Sequence, residues 1–220
     1  MIDDNWQEFI KAYRGPQHSE LKQDLFVLFV TGSKRSGWFV EFGAMDGIRA
    51  SNTLLLERNY DWQGVVSEPN PRYNKNLSTN RKCSIDLRCV SDVTGATVKF
   101  QTADQGGWPG MVGHIYREQN SHGHVIDVET VSLNDLLEQN GAPSKVDYIS
   151  IDTDGSEPMI MRAFDFARHG ASVWSIEHNQ EPWREEIHDL MQKNGYSRVC
   201  EKFSKYDDWY VANGVLEDMK

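Results

Sequence analysis

The stretch Trp38-Phe39-Val40-Glu41-Phe42-Gly43-Ala44-Met45-Asp46-Gly47, followed by Ser51-Asn52-Thr53, restricts the fold of this chain more than any other. A mostly apolar run breaks into a glycine-bearing turn, and Leu54-Leu55-Leu56 then opens a helix. Strand, turn and helix in that order make the βα unit on which α/β proteins build nucleotide sites. Gly43 lets the main chain approach a ligand with no Cβ in the way, and Gly47 can adopt a positive φ. The helix behind them aims free N–H groups and the positive end of its dipole into the same crevice. A phosphate cradle of the Gly-x-x-x-x-Gly-Lys kind would place a cation in such a turn, whereas this one carries Glu41 and Asp46. Two carboxylates favour a ligand with hydroxyls, an ammonium or a sulfonium. S-Adenosylmethionine has all three.

Such a turn also fits dinucleotide enzymes and ordinary βα units, so the next strand is the test. Trp62-Gln63-Gly64-Val65-Val66-Ser67-Glu68-Pro69-Asn70-Pro71 is a short apolar run ending in Glu68, 22 residues past Asp46. That is near the spacing at which an acid after the second strand grips ribose hydroxyls. The alternative is that Glu68 caps a strand while two prolines shape a turn.

At 220 residues, 39% of them hydrophobic, the chain suits one sizeable core: helices in residues 1–35 packing on a globular unit of 36–220. The net charge of −10 and the lack of any Lys/Arg run argue against nucleic acid as a partner. The first residues lack the basic start and apolar stretch of a signal peptide, and no apolar run is long enough for membrane insertion, so the expectation is a cytoplasmic protein. Cys83, Cys89 and Cys200 show no CxxC spacing and read as buried free thiols.

Trp6, Phe9, Ile10 and Tyr13 recur at helical spacing behind Asp4, the expected N-cap, and pack either on the sheet or on a second chain; oligomeric state stays open. A second helix is expected from about Ser19 to Gly32. Cys83 to Val90 reads as a third strand or two short ones, and Phe100 lies on a hairpin excursion. Residues 104–124 show no period and many turn residues, which fits either a lid over a ligand or a segment without fixed structure. Ser132, with Asp135 three residues on, caps a short helix stopped by Gly141. Val146 to Asp152 and Ser172 to Glu177 are further strands, with Pro158 in the first turn of the helix between them. After a helix ending at Gly195, the runs Tyr196 to Lys202 and Trp209 to Ala212 are joined by so short a link that they must pair antiparallel. The expected class is therefore α/β: a mostly parallel sheet with an antiparallel C-terminal hairpin and helices on both faces.

Ligands of an open α/β sheet bind beyond the C-terminal strand ends, and here those ends are polar. They carry Glu41 and Asp46, then Glu68, then Asp152-Thr153-Asp154-Gly155-Ser156-Glu157, then Glu177-His178-Asn179. Three carboxylates in one strand-to-helix turn repel one another unless a cation, a donor or a shared proton relieves them. Glu157 can also serve simply as a charge complementing a helix dipole.

These pieces, with Gln23-Asp24-Leu25-Phe26, Leu56-Glu57 and Asp208-Trp209-Tyr210, resemble in order the FkbM-type S-adenosylmethionine-dependent methyltransferases. The resemblance runs from about residue 20 to the C-terminus and implies the class I methyltransferase fold, Rossmann-like and seven-stranded. It implies cofactor binding by Glu41, Gly43, Ala44, Asp46, Gly47, Asn52, Thr53, Glu68, Pro69, Asn70, Val90, Ser91 and Asp152. Gly43 and its neighbours would lie under the methionine part, Glu68 on the ribose, and Val90 and Ser91 beside the adenine. Asp154 stands where the family usually has Glu, and Ser150 where it often has Lys.

Alcohols are about as weakly acidic as water, pKa roughly 16, so methyl transfer to oxygen needs a positioned base or a metal. The expected reaction is O-methylation of a hydroxyl on a sugar or other small metabolite, with His178 or Asp154 as base and Asp152 beside them. Asp152, Asp154 and Glu177 holding Mg²⁺ or Mn²⁺ is the less favoured scheme. His178 can alternatively just support the turn it sits in. An NAD-type oxidoreductase and a catalytically silent nucleoside-binding protein remain the alternatives.

Overall fold

The computed structural model describes residues 2–102, 113–115 and 124–219. Helices α1 (Ile2–Ala12) and α2 (Gln23–Val30) lead into β1 (Trp38–Phe42). The glycine turn and α3 (Leu54–Tyr60) follow, then β2 (Gln63–Ser67), α4 (Asn74–Asn80) and the short strands β3 (Ser84–Asp86) and β4 (Cys89–Ser91). Next come β5 (Thr97–Thr102), β6 (Gly113–Ile115), β7 (His124–Ser132) and α5 (Leu133–Gln139). Alternation resumes with β8 (Lys145–Ile151), α6 (Glu157–Ala163), β9 (Gly170–Glu177) and α7 (Arg184–Lys193). The last elements are β10 (Tyr196–Val199), α8 (Glu201–Ser204), β11 (Asp207–Ala212) and α9 (Asn213–Asp218).

The main sheet has the order β10-β11-β9-β8-β1-β2-β3 and is parallel except for β11, antiparallel to both neighbours. That is the expected seven-stranded layout. The chain runs outward from β1 to β3 and then starts again at β8 on the other side of β1. The connections leave on opposite faces there, which opens a crevice over the C-terminal ends of β1 and β8. A second sheet, β4-β7-β5-β6, carries the hairpin excursion around Phe100.

Side chains alternate across each strand, so the main sheet buries two layers. Val40, Val65, Ile149 and Trp174 meet Leu136, Met161 and Met191 of α5, α6 and α7. Phe39, Val66, Tyr148 and Trp209 meet Phe26 and Leu55 of α2 and α3 on the other face. Trp6 brings α1 onto this second layer, edge-on to Phe26 and to Trp209 at 5.6 and 5.8 Å between ring centres.

Four local expectations need correction. Asp4 is not an N-cap but lies in the first turn of α1, beside Asp3, where it complements the helix dipole. The second helix starts at Gln23 and not Ser19, because the buried Asp24 carboxylate accepts from the His18 N–H and the Ser19 hydroxyl and holds the preceding residues in a turn. The run from Tyr196 stops being strand at Val199, where Cys200 takes φ 57° and turns the chain into α8. No helix was expected at α9. Cys83 to Val90 resolves into two short strands in different sheets, and Ser132 accepts the Asp135 N–H as its cap role requires. Of the 104–124 segment, only Gly113–Ile115 and His124 fall within the described residues. Among those residues no helix is long and apolar enough to cross a membrane.

Candidate active site

Over the ends of β1, β2 and β8 lies an open cleft of about 820 Å³, counted out to its mouth. Of the expected cofactor residues, Glu41, Gly43, Asn52, Glu68, Pro69, Val90 and Asp152 line it, and so does Asp154. Gly43 has φ +70°, and a Cβ there would sit 2.4 Å from the Asp152 carbonyl oxygen. Only glycine fits where the β1 turn passes the end of β8.

Glu68, at the end of β2, is buried and accepts N–H bonds from Met45 and Asn70 at 2.9 and 2.8 Å, one on each carboxylate oxygen. It thereby ties the glycine turn to β2 and keeps lone pairs for a ligand diol. Burial pushes its pKa up to about 7, against those two N–H bonds.

Glu41 is occupied from within. It accepts from Ser51 Oγ at 3.0 Å, the Asn52 N–H at 2.6 Å, the Thr53 hydroxyl and Arg81 Nη1 at 3.1 Å, and so fixes the turn that opens α3. Asn52 then donates to Ser150 Oγ at 2.8 Å, while its own buried Oδ1 has no partner among the described residues. A cleft-lining acceptor left without a donor suits a ligand N–H such as an ammonium.

Ala44, Asp46, Gly47, Thr53, Asn70 and Ser91 do not line the cleft; they shape it. Asp46 accepts the Ile48 and Arg49 N–H groups, and Gly47 has φ +80° with Arg81 Cγ 2.6 Å from where a Cβ would be. Ala44 donates its N–H to Ser67, Thr53 bonds Glu41, Asn70 accepts from Arg72 N–H, and Ser91 donates to Asp92. Sequence reasoning missed Glu20, Met45, Arg49, Cys89 and Phe100, which also line the cleft. Glu20 is brought there by the bridge pairing Ser19 with Ala50, a long-range contact with no local signature.

Asp152, Asp154 and Glu177 each offer a carboxylate oxygen, all within 4.8 Å of one another. Asp152 is open to solvent at the cleft while Asp154 and Glu177 are half-buried; the protein packed on its other side, with the neighbouring Glu177 and Asp154 charges, holds its pKa above the ordinary range. Burial and Asp154 likewise push Glu177 up to about 8. One proton shared by such a pair is the relief that like charges require. Glu157 has a different task, accepting the Thr153 N–H and hydroxyl at 2.8 Å each to brace the start of α6. His178 stands apart from the cleft lining and is 2% exposed. Its Nδ1 accepts the Gln180 N–H at 3.0 Å, and its Nε2 faces Asp208 Oδ1 at 3.7 Å.

These acids make a prediction about stability. Glu68 and Asp207 at about 7 and Glu177 at about 8 lie above the ordinary 4.5, 3.8 and 4.5, all chiefly through burial. A carboxyl whose pKa rises on folding stabilises the fold while protonated and loses that contribution as pH climbs through the raised value. The ligand-free protein should therefore melt at a higher temperature near about pH 5.5 than near about pH 8.5. Calorimetric melting across that range checks it, and a melting temperature that rises steadily with pH would contradict the buried-acid account.

Residues 41–198 match the model of a family described as Methyltransferase FkbM domain. The chain belongs to that family. It is an S-adenosylmethionine-dependent methyltransferase, and the FkbM domain match takes in the end of β1, all of β2, β8 and β9, and the crevice between them. Solved structures similar to this FkbM-type protein include a precorrin-6y C5,15-methyltransferase from Geobacter metallireducens GS-15, with 11% identity over 86% of this chain and 85% of that one and a TM-score of 0.43. Another is a human methyltransferase 10 domain containing protein, with 10% identity over 94% of this chain and 90% of that one and a TM-score of 0.39. No curated protein matches the chain.

Proposed function

We propose that this FkbM-type enzyme methylates a hydroxyl oxygen of a small acceptor such as a sugar, with the carboxyl group of Asp152, Asp154 and Glu177 taking the proton. The carrying observation is the placement of those acids beside the cleft that Gly43, Asn52 and Glu68 line. The cofactor fits what is there: Glu68 has acceptors for a ribose diol, Asn52 Oδ1 lacks a donor, and Gly43 leaves the main chain bare. When bound, S-adenosylmethionine supplies an electrophilic methyl on a cationic sulphur. The acceptor's hydroxyl proton would pass to the Asp152–Glu177 carboxyl pair, whose acting form is the one that has shed the shared proton.

Alignment alone can contribute roughly 7–11 kcal/mol to such a displacement, which the rigid β1, β2 and β8 ends are built to supply. The base is assigned to the carboxylates and not to His178 because the imidazole is buried apart from the cleft lining and its Nδ1 is taken by the Gln180 N–H. Carboxyls whose proton affinity lies near neutrality suit the role.

Calorimetry with S-adenosylhomocysteine and with NAD, followed by methyl transfer to a panel of hydroxyl compounds with and without EDTA, tests this reading. Binding of the first ligand only, and turnover that survives EDTA, are expected. No affinity for S-adenosylhomocysteine would overturn the reading, and tight cofactor binding with no methyl transfer to any hydroxyl would rule out a hydroxyl acceptor. Loss of turnover with EDTA, restored by Mg²⁺ or Mn²⁺, would turn the same acids into ion ligands.

A further inference from the structure

A second concavity, about 720 Å³ counted out to solvent, lies between α1, the turn before α2, and α8. Its floor is apolar: Trp6 and Ile10 from α1, Leu21 from the turn and Phe203 from α8. Its rim is Lys11, Lys22, Lys202 and Lys205, and no acid lines it. None of these four ammonium groups forms an ion pair or hydrogen bond among the described residues. In a chain of net charge −10, four unpaired lysines around one apolar groove are a local reversal of sign.

The groove also adjoins the catalytic cleft. Glu20 lines the cleft and the next two residues, Leu21 and Lys22, line the groove. Gln23, following Lys22, donates through Nε2 to Asp207 at 2.8 Å, and Asp207 is the strand partner of Glu177. Lys205 lies two residues before Asp207, and its carbonyl accepts from Gln180, just beyond β9. Lys22 and Lys205 thus stand next in the chain to residues that line the cleft or bond to the end of β9.

We propose that this groove seats the non-reacting part of the acceptor, an apolar chain bearing a phosphate or comparable anion, with the anion held by Lys22 and Lys205 and the chain laid over Trp6, Ile10, Leu21 and Phe203. The inference rests on the acceptor-hydroxyl reading above and narrows it to an amphipathic, anionic hydroxyl compound taken up as a soluble molecule. Charge complementarity fixes the sign of the head group, and the apolar floor calls for the tail.

The test is calorimetric titration of the full chain with dodecyl phosphate below its micelle concentration. Inorganic phosphate, dodecyltrimethylammonium and phosphatidylglycerol vesicles serve as the other probes, on the wild type and on a K22E/K205E double variant. Expected are one-to-one binding of dodecyl phosphate, at least tenfold weaker in the double variant, and no comparable binding of phosphate alone or of the cationic amphiphile. No binding of dodecyl phosphate, or equal binding by the variant, would overturn the proposal. So would binding to vesicles alone, which would make the groove a membrane-surface contact. S-Adenosylhomocysteine affinity measured on the same samples separates the two claims. If it is retained while dodecyl phosphate fails to bind, the groove is wrongly assigned and the methyltransferase reading stands; if it too is absent from the wild type, that reading falls as well.

Discussion

Replacing Arg81 with Met is expected to remove roughly 3–5 kcal/mol of folding stability, the usual result when one partner is taken from a buried ion pair. The Arg81 side chain is fully buried. Its Nε donates to Glu57 Oε2 at 2.7 Å, Nη1 to Glu41 Oε2 at 3.1 Å and Nη2 to Thr53 Oγ1 at 2.8 Å, and its guanidinium carbon lies 5.5 Å from the centre of the Phe39 ring. Burial alone would raise the Glu57 carboxyl, yet Arg81 and the Lys82 N–H outweigh it and hold that pKa below the usual range. Met fills similar volume without the charge, so two carboxylates lose their counter-ion in the interior. The loss should appear as a lower urea midpoint and melting temperature. Affinity for S-adenosylhomocysteine should fall too, because Glu41 holds the Ser51-Asn52-Thr53 turn on which the cleft acceptor Asn52 stands. A second substitution, Glu41→Gln, made on the Arg81→Met background should cost less than it does alone, since the two residues share one network. A fall of under about 1 kcal/mol for Arg81→Met would show that the network contributes little.

Arg81 also shows where sequence reading stops. The strands that build the cleft were legible because their patterns are local: an apolar run ending in acid and glycine for β1, another ending at Glu68 for β2, and seven residues of Val146 to Asp152 for β8. The antiparallel end of the sheet was legible from a short link. Arg81, in contrast, sits in an ordinary polar stretch after α4 and meets Glu41 from forty residues away, which no spacing rule reports. Glu41 itself was read as facing a ligand, and most of its acceptor capacity goes to its own turn. The start of α2 was misplaced for the same reason: Asp24 organises the residues before it through a buried carboxylate, overriding the helical periodicity. Reading acids at strand ends thus located the crevice correctly, whereas the division between acids that face it and acids that build it depends on tertiary contacts.

That division decides the remaining prediction, which concerns Asp152. Changing it to Asn is expected to lower kcat by about 10²–10⁴-fold, the range for loss of a positioned general base, with a much smaller effect on S-adenosylhomocysteine affinity. The pH profile identifies the group responsible. Asp152 and Glu177 crowd each other and both hold their protons above the ordinary range, Glu177 to about 8. Below that value the pair retains a proton and is a poor base, so kcat should climb with pH through the neutral range toward about 8. Burial lowers His178 from its ordinary 6.5, so a rate limited by that imidazole would already be level by neutrality. Asp152→Asn removes the like charge beside Glu177 and should move the limb to lower pH as well as depress the rate, while His178→Ala should leave the limb in place. A limb that vanishes in His178→Ala and persists unmoved in Asp152→Asn would transfer the base to the histidine and leave the three carboxylates as the electrostatic wall of the cleft.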